Sequence, residues 1–501
     1  MAIKLLRLFI FILTLSFLGC AGQNALFQEP IVGIMQDNQI PVLVKGITDG
    51  GVRINYKTVD EQTSVSTEWK NLSESDDFTT SLILNSIKAD SKYEYQVEFS
   101  GGEQSEWFNF NSFPAQGESG KFSFVFSACQ RENYLSNNIY EHIEKESPTF
   151  VALLGDQMYG DYDGNLNKLE EYLEDGAEMR KAKEEGAVIL SDKTIMEAFR
   201  NKYHRTFGKD FQKMSSTVPI LAVWDDHDYG KDNSDATYQY KEEAKKAFKE
   251  NYPSYPYEVE DGGIYYSFSI ADVDVFVLDT RWYRSPMENE DGENKTMLGG
   301  EQFAWLLNGL KQSPSAFKII FSSVPMNDYG GDTSSGREGY DSWMGYNYER
   351  NKLISFIKEN NIQGVLVFSG DQHYPSAHIL NWQSPLTAVS ETESSVDYSL
   401  TEMGTAIFDF SASPLNYKVT TGHPLIAENQ ENPDFSYEIY RTEWAKPENK
   451  IKDAPRRVAS VYGVAEIDTK SSPKTVSVKF LELNAETSEL VELYKIRLTL
   501  E

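Results

Sequence analysis

Residues Trp224-Asp225-Asp226-His227-Asp228-Tyr229-Gly230 set three acids and a histidine directly behind the short apolar run 218–223. That run is β-prone and reads as a buried strand. The polar residues therefore fall at its carboxyl end, where ligand sites of open α/β sheets lie. Crowded carboxylates repel one another. A multivalent cation offsets that repulsion, and oxygen donors suit hard cations. In a chain with 77 Asp and Glu against 47 Lys and Arg, one such cluster could be a solvated acidic turn. Three more apolar runs end the same way. Residues 150–154 lead into Gly155-Asp156-Gln157-Met158-Tyr159, residues 365–369 into Gly370-Asp371-Gln372-His373, and residues 122–126 into Ser127-Ala128-Cys129-Gln130. A single Gly-Asp pair is a turn signal. Four strand ends that each carry a potential metal ligand are hard to explain as turns.

The elements that must position these residues begin at Lys121, where strands start to alternate with helices, the pattern of a layered α/β core. Helices are predicted over 137–145, 166–185, 193–205, 238–251, 300–310 and 348–360, with 166–185 a Glu- and Lys-rich solvated surface helix. Residues 265–270 and 273–278 form a hairpin over Ala271-Asp272. Residues 381–455 read as irregular loops shaping one wall of the site, and 458–467, 476–483 and 490–500 as closing strands. Ahead of the core, residues 26–113 are all-β. Strand candidates at 31–34, 41–46, 52–58, 81–84, 93–99 and 107–110 are separated by turns such as Asp49-Gly50-Gly51. Their spacing suggests a small sandwich of immunoglobulin or fibronectin-III type. The polar stretch 114–120 is the expected boundary, with 121–501 forming one catalytic domain. Every candidate ligand lies after it, so the sandwich is expected to be dispensable for chemistry.

With 501 residues, 40% hydrophobic and 13% aromatic, the chain is long and apolar enough for a large core. A net charge of −30 argues against a nucleic-acid-binding surface. It also means that attraction for an anionic substrate must come locally. Lys4 and Arg7 precede the apolar run 8–18, which is too short to span a bilayer and fits an export signal. The run closes on Phe17-Leu18-Gly19-Cys20, similar to a bacterial lipobox, so residues 1–20 read as a lipoprotein-type signal peptide and Cys20 as the lipidated first residue. An ordinary signal peptide cut nearby is the alternative. The lipid reading implies an exported, membrane-anchored protein in the periplasm or on the outer-membrane or cell surface. The only other cysteine, Cys129, cannot form an intrachain disulfide once Cys20 carries lipid. A monomer is expected.

Taken together and in order, Ser127 to Gln130, Gly155 to Tyr159, Trp224 to Asp228, Leu278-Asp279-Thr280-Arg281, Ser323-Val324-Pro325-Met326 and Ser369 to His373 resemble the metallophosphoesterase superfamily. The closer resemblance is to its alkaline phosphatase D (PhoD-like) branch. It implies a metallophosphoesterase-type layered α/β core and a two-metal site. A first metal would take Cys129, Asp156, Tyr159 and His373. The superfamily's leading Asp-x-His pair is replaced here by Ser-Ala-Cys-Gln, and a thiolate with a phenolate suits Fe³⁺, the ion PhoD-like proteins use. A second metal would share Asp156 and add Asp226 and Asp371, with Asp225 and Asn233 as further ligands or their supports. The superfamily's middle histidine is absent, with Ser322-Ser323-Val324-Pro325 in its place, and all-oxygen ligation favours Ca²⁺, or Mg²⁺, over zinc.

The resemblance casts His227 as the histidine that contacts the phosphoryl group or protonates the leaving oxygen, with Asp228 orienting it. Arg281 would cap the phosphate oxygens, Arg131 and Arg350 being weaker candidates. Trp343 and Tyr346 would line the mouth. His142, His204 and His423 are read as structural, and His378 has no assigned role. The implied activity is hydrolysis of a phosphate ester by a metal-activated hydroxide. Monoester and diester both stay open. No Gly-x-Ser-x-Gly elbow supports a serine route. The competing readings are a non-catalytic cell-surface binding protein that keeps the fold, and an iron-dependent oxidoreductase. Intact Asp156, Asp226, His227 and His373 weigh against the first, and the carboxylate-rich second site against the other.

Overall fold

A computed structural model describes residues 25–131, 138–159, 192–328, 341–381, 388–419, 422, 436–449, 457–484 and 487–501. The signal segment with Cys20, the expected helix 166–185 and His423 lie outside the described residues.

The α/β part is built on two sheets packed face to face. In the first, Ile220–Val223, Phe150–Leu154 and Lys121–Ser127 run parallel. The sheet continues antiparallel through Val461–Asp468, Lys474–Leu483 and Leu490–Leu500, and ends on Ser395–Ser399 and Ser390–Glu391. The second sheet starts with the expected hairpin, Tyr266–Ile270 against Val273–Val277. It proceeds in parallel through Phe317–Ser322, Val365–Ser369 and Ile407–Ser411, and then antiparallel through Ser376–Leu380 and Ser436–Arg441. A phenylalanine layer joins the two. Phe124 of the first sheet meets Phe321 and Phe368 of the second edge-on, at centroid distances of 5.4 and 4.9 Å, within the range where aromatic pairs attract. This layer holds the parallel strands of both sheets with their carboxyl ends side by side.

Most expected helices form close to their predicted limits: Ile139–Lys145, Asp192–Thr206, Lys241–Asn251, Gly299–Gln312 and Asn347–Glu359. A short helix, Lys209–Ser215, was not anticipated. The larger correction concerns residues 381–455. Their described part is not a loop region, since it supplies Ser395–Ser399, the parallel strand Ile407–Ser411, Tyr417–Val419 and Ser436–Arg441. Asp409 and neighbouring Ser and Gly residues break the apolar signal, yet Ile407–Ser411 is buried throughout. Its Asp409 is accommodated by the backbone N–H groups of Met326 and Asn327 and by Ser369 Oγ, at 2.8–3.0 Å.

Residues 31–111 form two antiparallel sheets. One joins Ile31–Val32, Ile40–Lys45 and Thr79–Leu84. The other orders Val65–Ser66, Gly50–Thr58, Lys92–Phe99 and Gln104–Asn111, with Lys70–Leu72 also paired to Gly50–Thr58. Alternation on Lys92–Phe99 turns Tyr93, Tyr95, Val97 and Phe99 inward, as period-2 patterning requires. These sheets are packed firmly on the α/β part. Tyr95 is fully buried and its hydroxyl donates to Ser216 O at 2.8 Å, while Phe113 packs on Phe150. Lys45 is 2% exposed and pairs with Asp77, which also bonds Nε2 of His204, on the helix Asp192–Thr206, at 2.6 Å.

Burial pushes the Lys45 ammonium down, and Asp77 opposes that shift. Burial also pushes Asp77 up, but His204 and Lys45 outweigh it and hold its carboxyl below the ordinary range. Removing Asp77 strands a buried cation. Asp77→Ala should therefore cost about 2–4 kcal/mol in urea denaturation at neutral pH. The cost should shrink as pH falls through the carboxylate range, because a depressed folded-state pKa stabilises only above it. A pH-independent or negligible cost would show that the contacts of Asp77 with Lys45 and with His204 do not stabilise this junction.

Candidate metal centre

All four strand ends singled out in the sequence converge. The close approach is possible because Gly370 has no side chain. A Cβ there would lie 2.3 Å from Ala128 Cβ, 3.0 Å from Leu154 O and 3.1 Å from Ser323 O. Gly155 does the same for the neighbouring strand, since its Cβ would sit 2.5 Å from Asp225 Cβ, and its φ of +95° suits glycine. Five candidate ligands, Cys129, Asp156, Asn233, Asp371 and His373, have φ between 54° and 61°. Left-handed backbone costs a non-glycine residue on the order of 1–3 kcal/mol and clusters at functional sites. Cys129, which lacks the local bonding that lets Asn and Asp adopt it, is the most telling.

One side of the centre gathers Cys129, Asp156 and His373, with one ligand atom of each within 4.8 Å of the others. Cys129 Sγ is 3.7 Å and the Tyr159 hydroxyl 3.2 Å from the same Asp156 Oδ2. The other side gathers Asp156, Asp226 and His227, again within 4.8 Å. Asp156 thus belongs to both groups, and its Oδ1 faces the His227 N–H at 3.4 Å. Asp371 lies outside these groups. Its carboxylate is placed to interact with Asp341, Asp225 and Asp226, and its backbone N–H faces the Cys129 thiol. Asn233 contributes its backbone N–H to Asp226 Oδ2 at 2.6 Å, and its side chain turns to Asp232.

Burial and crowding shift most of the acidic groups here. Burial, then Asp226, pushes Asp156 well up. Burial raises Asp225 to about 6 against the opposing pull of Arg281, and raises Asp228 to about 7. Burial and then Asp156 raise both the Cys129 thiol and the Tyr159 phenol. Among these acids Asp226 moves down, because His227, Arg281 and the Asn233 N–H outweigh its burial. The residues present fit metal ions on two counts. Thiol, phenol, carboxylate and imidazole donors converge, and the buried Asp225 Oδ2 and Asp226 Oδ1 have no hydrogen-bond partner among the described residues.

Several expected roles are corrected. Arg281 does not reach toward a substrate. It is fully buried, with Nε on Asp225 Oδ1 at 2.6 Å, Nη1 and Nη2 on Asp341 at 2.9 Å, and Nη1 on Ser234 O. The guanidinium is spent on holding Asp225. Asp228 does not orient the His227 ring. Its carboxylate accepts the backbone N–H groups of Asp156 (2.6 Å), Met158 (2.8 Å) and Asp225 (3.0 Å), tying two strand ends together. Trp343 and Tyr346 are buried rather than at a mouth, bonded to Ser322 Oγ and Ser285 O. Arg350 is 3% exposed and bonds Met326 O and Asp328, bracing a loop. His378 pairs with Glu438 at 3.4 Å. Arg131 is partly exposed and its guanidinium lies over the rings of Tyr159 and Tyr417.

Residues given no role from the sequence alone complete the centre. Ser323 Oγ donates to Asp225 Oδ1 at 2.8 Å, and Asp341 anchors Arg281. Tyr417 stacks on both His373 and Tyr159. Tyr417 opens the short strand Tyr417–Val419 beyond Ile407–Ser411, in a stretch that reads as loops, so no strand-end signal pointed to it.

Two packed sheets whose strand ends carry these donors have a metallophosphoesterase-like α/β fold. Among solved structures, one described as the structure of PhoD matches with a TM-score of 0.69 and 19% identity, covering 95% of this chain and 91% of that one. Purple acid phosphatase PPD1 from yellow lupin (Lupinus luteus) matches with a TM-score of 0.61 and 11% identity, covering 94% and 74%. The model of the PhoD-like phosphatase family matches residues 124–450, and the chain belongs to that family. Alkaline phosphatase D of Bacillus subtilis (strain 168) is 27% identical over 343 residues, which span 63% of this chain and 55% of that protein.

Gly370 is the steric test of this convergence. Gly370→Ala should destabilise the fold by about 1–3 kcal/mol through overpacking and reduce metal content. Adding Ala128→Gly, which removes the nearest atom, should restore part of both. Equal stability of Gly370→Ala and the parent in chemical denaturation would contradict the packing described.

Proposed function

We propose that the protein is an exported metal-dependent phosphoric ester hydrolase acting on phosphomonoesters, phosphodiesters or both. The observation that carries this is the Asp156 carboxylate, common to a Cys129–His373 group and an Asp226–His227 group. Membership of the PhoD-like family supports it. The Cys129, Asp156, Tyr159 and His373 set suits Fe³⁺. The carboxylates of Asp156, Asp226 and Asp371, with Asp225 close by, suit Ca²⁺ or Mg²⁺. Bound ions would supply Lewis acidity and lower the pKa of a water molecule.

The chain's own residues then divide the remaining work. Asp228 fixes the Asp156 and Asp225 backbones, and Arg281 holds Asp225, so the donors need not reorganise when substrate arrives. His227 delivers a proton to the leaving oxygen. Arg131, whose guanidinium lies over the rings of Tyr159 and Tyr417, is the arginine we assign to the phosphate oxygens in place of the buried Arg281. We further infer that residues 26–113 are an immunoglobulin- or fibronectin-III-like domain, and that Cys20 carries a lipid anchoring a monomeric enzyme to a membrane. Among the described residues no helix is long and apolar enough to cross one.

Asp156→Ala should abolish hydrolysis of p-nitrophenyl phosphate and bis-p-nitrophenyl phosphate and strip both metals. His227→Ala should keep the metals and lose roughly 10²–10⁴-fold in rate, less on substrates with good leaving groups. Its nitrogen lies within the Asp156–Asp226 group. If His227→Ala loses metal as fully as Asp156→Ala, the histidine is a ligand and not the acid. An iron–tyrosinate should also colour the purified protein, and Tyr159→Phe should remove the visible band. A colourless, iron-free, fully active enzyme would refute the iron assignment.

A further inference from the structure

Residues 412–417 strap the Cys129 loop, which follows a strand of the first sheet, to the His373 loop, which follows a strand of the second. Leu415 N–H donates to Ala128 O at 2.7 Å, and Arg131 N–H donates to Asn416 O at 3.0 Å, so the strap runs alongside the Cys129 loop. Ser413 Oγ accepts the His373 N–H at 2.8 Å, so the same strap holds the His373 loop. These contacts present Tyr417 between two candidate ligands. Its ring stacks on His373 at 4.8 Å with an interplanar angle of 26°, and on Tyr159 at 5.2 Å with 17°. Tyr159 in turn meets His227 at 4.3 Å. Three rings, His373, Tyr417 and Tyr159, therefore stack in that order, and His227 closes the row with a contact tilted by 32°.

We propose that Tyr417 is a positioning residue for the metal centre, its ring fixing the planes of His373 and Tyr159 so that both donor atoms converge on one ion. The inference rests on the reading of Cys129, Asp156, Tyr159 and His373 as a ligand set. The stacking geometry gives Tyr417 this role through the face of its ring. Near-parallel stacking restricts the rotation of both neighbours about the bonds that aim their donors. A ligand held in its binding orientation before the ion arrives loses less entropy on binding. The electron-rich face of Tyr417 also lies against the Tyr159 ring, so replacing it changes the surroundings of that phenolate. The Arg131 guanidinium lies 6.0 Å from the Tyr417 centroid and 5.9 Å from that of Tyr159, over the same pair of rings.

Tyr417→Phe, which keeps the ring, and Tyr417→Leu, which removes it at similar bulk, separate ring from hydroxyl. Full-length protein is measured for metal content, for metal affinity by chelator competition, and for its visible spectrum. Cys129→Ala is the reference that should lose the ion. Tyr417→Phe is expected to match the parent. Tyr417→Leu is expected to bind the ion at least tenfold more weakly and to shift the tyrosinate band, with an unchanged far-UV circular dichroism spectrum. If Tyr417→Leu keeps the parent affinity and band while Cys129→Ala loses the ion, the positioning role fails and the ligand set stands. If Tyr417→Phe behaves like Tyr417→Leu, the hydroxyl is responsible and the stacking proposal fails. If Cys129→Ala also keeps its metal, the ligand set itself is wrong and the proposal falls with it.

Discussion

Mutual repulsion among Asp156, Asp225, Asp226, Asp228 and Asp371 is the constraint around which the strand ends are arranged. Burial should drive such groups to their neutral forms, and Asp156, Asp225, Asp228 and Asp371 are all pushed that way. Two devices keep the cluster folded. Arg281 lies inside it, hydrogen-bonded to Asp225, Asp341 and Ser234 O and 3.8 Å from Asp226 Oδ1, and three backbone N–H groups converge on Asp228. Neither device satisfies Asp225 Oδ2 or Asp226 Oδ1. A bound cation inverts this logic, because its charge turns the same crowding into ligation.

Everything larger follows from bringing those acids together. The parallel strands Phe150–Leu154 and Ile220–Val223 belong to one sheet, and Val365–Ser369 to the other. No single sheet edge could present Cys129, Asp156 and Asp226 on one side and Asp371 and His373 on the other. The phenylalanine layer sets the sheets face to face, and Gly370 lets their ends touch. The strain of five left-handed residues is carried by that frame. This places the unfavourable backbone where the donors are, and the favourable burial in the aromatic layer beneath them.

Much of this was legible in the sequence, and for a physical reason. A parallel strand buried on both faces is a continuous apolar run, and polar residues can follow it only at its end. That rule recovered Cys129, Asp156, Asp226 and His373, as well as the α/β alternation. It failed at Ile407–Ser411, where a buried aspartate interrupts the run, and no strand-end signal pointed to Tyr417, on the short strand Tyr417–Val419 beyond it. Roles were harder to read than positions. Nothing in Leu278-Asp279-Thr280-Arg281 tells whether the guanidinium faces solvent or Asp225, because Asp341, 60 residues away, decides it. Asp228 looked like a partner for the adjacent His227, but the fold gives its oxygens to backbone groups of another strand end. Trp343 and Tyr346 likewise read as aromatic residues near a motif and are core residues.

Anomalous X-ray diffraction from crystals of the metal-loaded protein, recorded above and below the iron absorption edge, tests the shared role of Asp156 most directly. The predicted result is an iron peak in the edge-difference map bounded by Cys129, Asp156, Tyr159 and His373, and a second ion in the electron density, absent from that map, on the Asp226 side of the same Asp156 carboxylate. A single ion that leaves one Asp156 oxygen without metal, or an iron peak away from Cys129, would contradict a two-metal centre built on that residue.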